Sequence, residues 1–150
     1  MLQPHIAIRR TFTDADVFRH AFEVCDGSSS FVTEAFTPID WGANSAKTLR
    51  IFSRQVHGGI FDLEAGTEGP EYASGAFRAR FHFYKPTDLL ISTMQQGDFF
   101  PFKTREVATE AKMFLRTEPA LLDRFISALP ALDRPDGGEA VLECVSLRTT

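Results

Sequence analysis

The most regular pattern of hydrophobic and polar positions lies at residues 77–84. Apolar residues occupy every second position there, and the residues between them are basic or polar. Because successive side chains of a strand point to opposite faces of its sheet, this pattern predicts a strand with one buried face and one wetter face. Turn residues follow at 85–88, and residues 89–95 are the predicted return strand of an antiparallel hairpin.

Four further segments have strand-like patterns, at residues 5–12, 31–37, 60–65 and 140–147. In the first, Ile6, Ile8 and Phe12 share one face under period-two alternation. The last is apolar on both faces, which predicts a position well inside the sheet.

Apolar residues also recur at helical spacing. Thr13 is a suitable N-cap for a helix over residues 17–25. Residues 45–56 fit a helix face, although residues 48–52 also fit an extended conformation, and the Gly58 that follows favours the helix. Thr104 begins a predicted helix over residues 104–115, and Pro119 suits the first turn of the next helix.

These elements predict one α+β domain over residues 1–150. Its sheet is predicted to be antiparallel or mixed, with five to seven strands and with helices packed mainly on one face. A chain of 150 residues with 43% hydrophobic and 24% charged residues is typical of a globular domain. Such a domain needs neither a disulfide nor a structural metal to fold.

Charge and composition exclude several classes of function. The net charge is −4 and the Lys and Arg residues are dispersed, so a nucleic-acid partner is not expected. We expect no membrane span, because no apolar segment is long enough, and no signal peptide precedes residue 5. Cys25 and Cys144 are predicted to be buried free thiols, so we expect a cytoplasmic protein.

No catalytic or metal-binding spacing is present, so we expect no metal and no cofactor. Asp16 and His20 lie one turn apart on the predicted helix and are interpreted as a surface pair. His57 precedes two glycines, as in the oxyanion loop of some hydrolases, but no nucleophile motif accompanies it. The sequence favours a protein that is not an enzyme.

Two groups of residues are candidates for binding a partner. The polar face of residues 77–84, namely Arg78, Arg80, His82 and Tyr84, could contact an acidic group or form a solvated sheet face. Phe99, Phe100 and Phe102 lie in a predicted loop and must either fold under the domain or be covered by a partner. Trp41 must likewise either fold under the domain or be covered by a partner.

The segment from Gly97 reads Gly-Asp-Phe-Phe-Pro-Phe-Lys-Thr and leads into a predicted helix that ends at Met113-Phe114-Leu115. It resembles the closing part of small bacterial immunity proteins, which neutralise a cognate toxin. The resemblance covers roughly 20 residues. It implies that the partner is a toxin.

The leading hypothesis is a non-enzymatic protein that binds and occludes a protein partner, and the partner implied by the resemblance is a toxin. A second hypothesis is a small-molecule-binding or enzymatic domain with a Phe-lined pocket, whose polar groups are His57, His82, Arg80 or Tyr84. A third is a structural subunit of a larger assembly, and the oligomeric state is left open.

Overall fold

A computed structural model describes residues 2–55, 58–67, 69 and 74–147 of the chain. His57 therefore lies outside the described residues. The elements within them, in chain order, are β1 His5–Thr13, β2 Val17–Cys25, β3 Ser30–Pro38, α1 Trp41–Ser53, β4 Ile60–Gly66, β5 Ser74–Lys85, β6 Asp88–Asp98, β7 Phe100–Phe102, β8 Arg105–Val107, β9 Glu110–Thr117, α2 Pro119–Ala128, a 3₁₀ helix Leu129–Asp133, and β10 Glu139–Glu143.

The strands form two four-stranded sheets and one small hairpin. The first sheet has the order β10-β1-β2-β3, the second has the order β4-β5-β6-β9, and β7 pairs with β8. Every pairing is antiparallel. Strands make up 55% of the described residues and the two α-helices among them are short, so the fold is mostly β. The predicted α+β fold with a single sheet of five to seven strands is wrong.

The predicted hairpin of β5 and β6 is confirmed, and its register pairs Phe81 with Ile91. The predicted helix over residues 17–25 is wrong, because this segment is β2. Its inward side chains alternate, and one of them is His20, which is fully buried. A polar residue at an inward position hides the period-two pattern, and the remaining apolar residues then fit helical spacing. The predicted surface pair of Asp16 and His20 is therefore wrong as well.

The predicted helix over residues 104–115 is also wrong. This segment contains β8 and most of β9, in which Met113 and Leu115 are buried and Phe114 is exposed. Adjacent apolar residues at 113–115 satisfy a helix face as well as a strand, so spacing alone does not distinguish the two. Strand β9 forms its ladder with β6, and this tertiary pairing decides the conformation.

The register of β1 contains a bulge between Arg10 and Phe12. Arg10 pairs with the inward His20, whereas Phe12 pairs with Arg19, which lies on the other face of β2. A bulge inserts an extra residue and reverses the faces beyond it. The expectation that Phe12 shares a face with Ile6 and Ile8 is therefore wrong.

Strand β10 is the terminal strand of the first sheet and pairs with β1 alone. The prediction that it lies well inside a sheet is wrong. Ala140 and Leu142 are buried, whereas Val141 is partly exposed on the outer face. Beyond the strand, Val145 forms an isolated bridge with Arg116 of β9, which brings the two sheets together at this edge.

Both sheets and both helices contribute to one hydrophobic core. Phe22 of the first sheet stacks on Phe77 of the second, with ring centroids 4.4 Å apart. Gln95 of the second sheet is also buried there, and its Nε2 donates to the Phe22 carbonyl at 2.9 Å and to Thr33 Oγ1 at 3.1 Å. Buried polar groups need such partners, so this side chain ties the sheets together.

The helix predicted over residues 45–56 is confirmed, although it begins earlier, at Trp41, and ends at Ser53. Its first turn is capped from a distant part of the chain. The Asp133 carboxylate accepts hydrogen bonds from the Gly42 N–H at 2.9 Å and from the Ala43 N–H at 2.8 Å. A carboxylate at a helix N-terminus satisfies free N–H groups and interacts favourably with the helix dipole.

Candidate functional site

The polar residues of β5 point outward, as the alternation predicts, but an acidic strand lies beside them. Asp62 of β4 is opposite Arg80, and Glu64 is opposite Arg78. Arg80 Nε and Nη2 donate to the Asp62 carboxylate at 2.8 and 2.9 Å. These hydrogen bonds lower the pKa of Asp62. The basic side chains of this face are therefore matched by carboxylates of the same sheet.

Tyr84, at the end of the same strand, is 72% exposed, and His82 is half-buried beside Ile60 and Leu90 in the register. The candidate residues of this face thus lie together on the second sheet. They form a mixed-charge sheet surface.

The second hypothesis requires a single pocket that is lined both by the phenylalanines of β5 and by Arg80, His82 or Tyr84. Those phenylalanines point into the core, because they occupy the alternate positions of the same strand. The cavity beside Arg80 has a volume of about 240 Å³, and its lining contains no phenylalanine. Its lining residues are Arg78, Arg80, Ser92, Thr93, Met94 and Lys112.

Trp41 lies in the core at the start of α1 and is 9% exposed. Its Nε1 donates to the Glu64 carbonyl oxygen at 2.9 Å, so its polar group is satisfied inside the protein. Trp41 therefore offers no side-chain anchor to a partner in this conformation.

The aromatic segment that follows β6 is exposed. Phe100 is 50% exposed and Phe102 is 55% exposed, whereas Phe99 is half-buried. These residues form a short hairpin, because β7 pairs with β8 and the turn between them is at Lys103 and Thr104. Of the two arrangements that the sequence allows for Phe100 and Phe102, the structure has the exposed one.

Two further phenylalanines are exposed at the neighbouring end of the first sheet. Phe12 is 50% exposed and Phe36 is 40% exposed, and both are opposite Arg19 in the strand register. The Arg19 guanidinium carbon lies 5.0 Å from the centroid of the Phe36 ring. Arg19 is therefore flanked by aromatic residues on both neighbouring strands.

Arg19 also connects Phe12 and Phe36 of the first sheet to the hairpin of β7 and β8. Its Nη2 lies 3.1 Å from Oδ2 of Asp98, which ends β6 two residues before Phe100. Phe12, Phe36, Phe100 and Phe102, which are exposed and which the ion pair of Arg19 and Asp98 links, are called the Phe surface.

Sequence patterns identify neither Phe36 nor Phe12 as exposed, because the buried face of residues 31–37 is partly polar and a bulge changes the face of Phe12. Phe36 occupies an outward position in the alternation of residues 31–37, where Thr33, Ala35 and Thr37 are buried. Phe12 faces outward only because of the bulge in β1, and no turn residue or glycine in that segment indicates a bulge.

Groups with reactive side chains are buried or dispersed. No cluster of three His, Cys, Asp or Glu residues that could hold a metal occurs in the described part of the chain. Cys25 and Cys144 are free and buried, as predicted, and burial raises the pKa of the Cys144 thiol to about 12. A thiol that stays protonated is a poor nucleophile.

His20 is the buried titratable group that the sequence pattern did not reveal. Its Nδ1 lies 2.8 Å from Thr37 Oγ1, and its Nε2 has no hydrogen-bond partner among the described residues. Burial, followed by the positive charge of Arg10, lowers the pKa of His20 from 6.5 to about 4. The ring is neutral at pH 7 and packs against Trp41.

Neither helix in the described part of the chain has the length and apolar character needed to cross a membrane. No protein-family model matches the chain, and no curated protein or solved structure matches it either. Function must therefore be inferred from the residues themselves.

Proposed function

We propose that this chain is a non-enzymatic binding protein that occludes a protein partner through the Phe surface. The observation that supports the proposal is the exposure of Phe100 and Phe102 on a hairpin of defined register. Single exposed apolar residues are common on protein surfaces, whereas exposed aromatics that cluster at one end of a domain are typical of interfaces.

The free energy available to a partner is considerable. A phenylalanine side chain buries about 200 Å² when it is fully covered, so one that is half exposed leaves about 100 Å² in water. At about 25 cal/mol per Å², covering each such ring contributes about 2 kcal/mol. The four rings of the Phe surface therefore supply enough apolar area for the centre of an interface, and Arg19 lies between Phe12 and Phe36 within it.

A toxin is the most specific partner that we propose, and a cytoplasmic location accompanies it, since both cysteines are free thiols. The segment that resembles immunity proteins forms strands β7, β8 and β9, whereas the resemblance implied a helix. The proposal therefore rests on the Phe surface and not on that resemblance.

The test uses a double variant, Phe100→Ser/Phe102→Ser, with Phe114→Ser as the matched control. Phe114 is 45% exposed on the outer face of the second sheet, far along the register from β7. Wild type and both variants serve as bait in the native organism, and a partner identified by mass spectrometry is then purified and titrated calorimetrically.

We expect the double variant to bind the purified partner at least tenfold more weakly, while Phe114→Ser binds as wild type does. Urea unfolding of each variant checks that the fold is retained. Equal binding by all three proteins would contradict the proposal, as would the absence of any captured protein that binds once purified. If the partner is a toxin, the complex should lack the toxin's activity.

A further inference from the structure

The β7–β8 hairpin has one aromatic face and one acidic face. In the register, Phe100 is opposite Val107 and Phe102 is opposite Arg105, so these four side chains share a face. Pro101 is opposite Glu106 on the other face. Glu106 is the only acidic residue in the hairpin, so within residues 100–107, all of which the structure describes, the aromatic face carries no carboxylate.

The turn adds a second cation to the aromatic face. The Lys103 ammonium lies 5.6 Å from the centroid of the Phe102 ring. Lys103 has a φ of 57°, in the left-handed region that glycine adopts at lower cost. The two-residue turn between Phe102 and Arg105 requires a positive φ at its first residue, and the lysine at that position places a positive charge at the tip of the hairpin.

We infer that the hairpin binds an acidic segment of a protein partner, one whose apolar residues are flanked by Asp or Glu. This inference rests on the proposed function and specifies its partner. The apolar residues would cover Phe100 and Phe102, and the carboxylates would face Lys103 and Arg105. Guanidinium and ammonium groups beside an aromatic surface select carboxylates, and the charge complementarity sets the orientation of the segment.

An anionic lipid surface fits this end of the molecule less well than a protein segment does. A bilayer is flat and extends beyond the hairpin, so its charge also acts on the neighbouring acids within a Debye length of about 8 Å. Asp98, Glu106 and Glu110 all lie in or beside the hairpin, and the chain has a net charge of −4. A short segment contacts only the aromatic face, where the charges are positive.

The test selects short linear peptides from a phage-displayed random library on the wild-type protein, with counter-selection on Phe100→Ser/Phe102→Ser. We expect the enriched peptides to combine aromatic or aliphatic residues with Asp or Glu, and to bind more weakly as the salt concentration rises. Lys103→Gly, which removes the cation and the strain together, and Arg105→Gln should each weaken binding about threefold to fivefold.

Lys112→Gln is the matched control, because the Lys112 ammonium also lies 5.6 Å from an exposed ring, that of Phe114, on the second sheet. This variant should bind the peptides as wild type does. Vesicles of phosphatidylcholine with phosphatidylserine serve as the lipid probe, and we expect no binding to them.

Neutral or basic peptides that still require Phe100 and Phe102 would overturn the inference and leave the proposed function standing. The same holds if Lys103→Gly and Arg105→Gln bind with wild-type affinity. Binding to the anionic vesicles that Phe100→Ser/Phe102→Ser abolishes would replace the protein segment with a lipid surface. Peptides that bind equally well without the two phenylalanines would overturn both the inference and the proposed function.

Discussion

Protonation of His20 should weaken the fold at mildly acidic pH. The ring is fully buried, with its centroid 5.7 Å from that of Trp41, and its Nδ1 is hydrogen-bonded to Thr37. Burial and the nearby Arg10 lower the pKa of His20 to about 4, so the folded protein resists taking up this proton. A charged imidazole at this position would lack water and would face another cation.

The sign and size of the effect follow from the two pKa values. The unfolded chain binds the proton as the pH falls through 6.5, whereas the folded chain does so only near pH 4. The stability associated with the neutral ring is therefore complete above about pH 7 and is lost progressively between these two values. The difference in pKa is about 2.5, and at about 1.4 kcal/mol for each pKa unit the full loss is about 3 kcal/mol.

The assay is urea unfolding at about pH 7.5 and about pH 4.5, followed by the fluorescence of Trp41, the only tryptophan. The perturbation is the double variant His20→Leu/Thr37→Val, which replaces both hydrogen-bonding partners with apolar groups of similar size. Between the two pH values, wild type should lose about 2–3 kcal/mol more than this variant. Thr37→Val alone retains the imidazole and should lose as much as wild type.

Other titrating groups are common to all three proteins and cancel in the comparison. Burial lowers the pKa of His5, but its hydrogen bonds to Glu23 and to the Gln3 carbonyl, together with the charges of Glu23 and Glu139, outweigh this and raise the pKa. His5 therefore changes stability in the opposite direction. If His20→Leu/Thr37→Val loses as much stability as wild type, His20 is not the group responsible. The same conclusion follows if the His20 ring, followed by NMR in the folded protein, titrates near pH 6.5.

Three further predictions concern the fold. Asp133→Ala removes the cap of α1 and should lower the free energy of unfolding by about 1–2 kcal/mol in urea titrations. Gly75→Ala should lower the free energy of unfolding by more than about 2 kcal/mol, because the backbone has a φ of 90° there and the new Cβ would lie 1.9 Å from a backbone carbonyl oxygen. Gly97→Ala is the control and should lower it less, because its Cβ would meet only an ordinary contact at 3.6 Å. A double-mutant cycle on Asp62 and Arg80 should give a small coupling energy that falls with added salt, because solvent screens this exposed pair, and a coupling energy that does not change with salt would contradict this.

The sequence predicts local structure reliably where polarity and burial agree. Residues 77–83 alternate between apolar and polar side chains, and each falls on its expected face of β5. Prediction fails where a buried position is polar. In β2 the inward His20 is hydrogen-bonded to Thr37 of β3. This partner lies on another strand, which a local sequence pattern does not contain.

The same limit applies to the candidate site. Phe100 and Phe102 were identifiable as unusual because consecutive aromatics in a turn-rich segment have no local core to enter. The charges of Arg78 and Arg80 were visible too, but the sequence does not show that Asp62 and Glu64 lie opposite them. Cross-strand pairing therefore shifts the candidate binding surface from the basic face of β5 to the Phe surface.

Three separate features determine where the aromatic side chains of the Phe surface lie. A bulge in β1 turns the Phe12 side chain to the outer face of the sheet. The left-handed conformation of Lys103 closes the hairpin that carries Phe102, and Arg19, which lies beside Phe36, forms an ion pair with Asp98. The bulge interrupts a strand ladder and the left-handed lysine is strained, so both oppose stability. Both features lower stability while they leave apolar area exposed, and the proposed binding of a partner at the Phe surface would account for their retention.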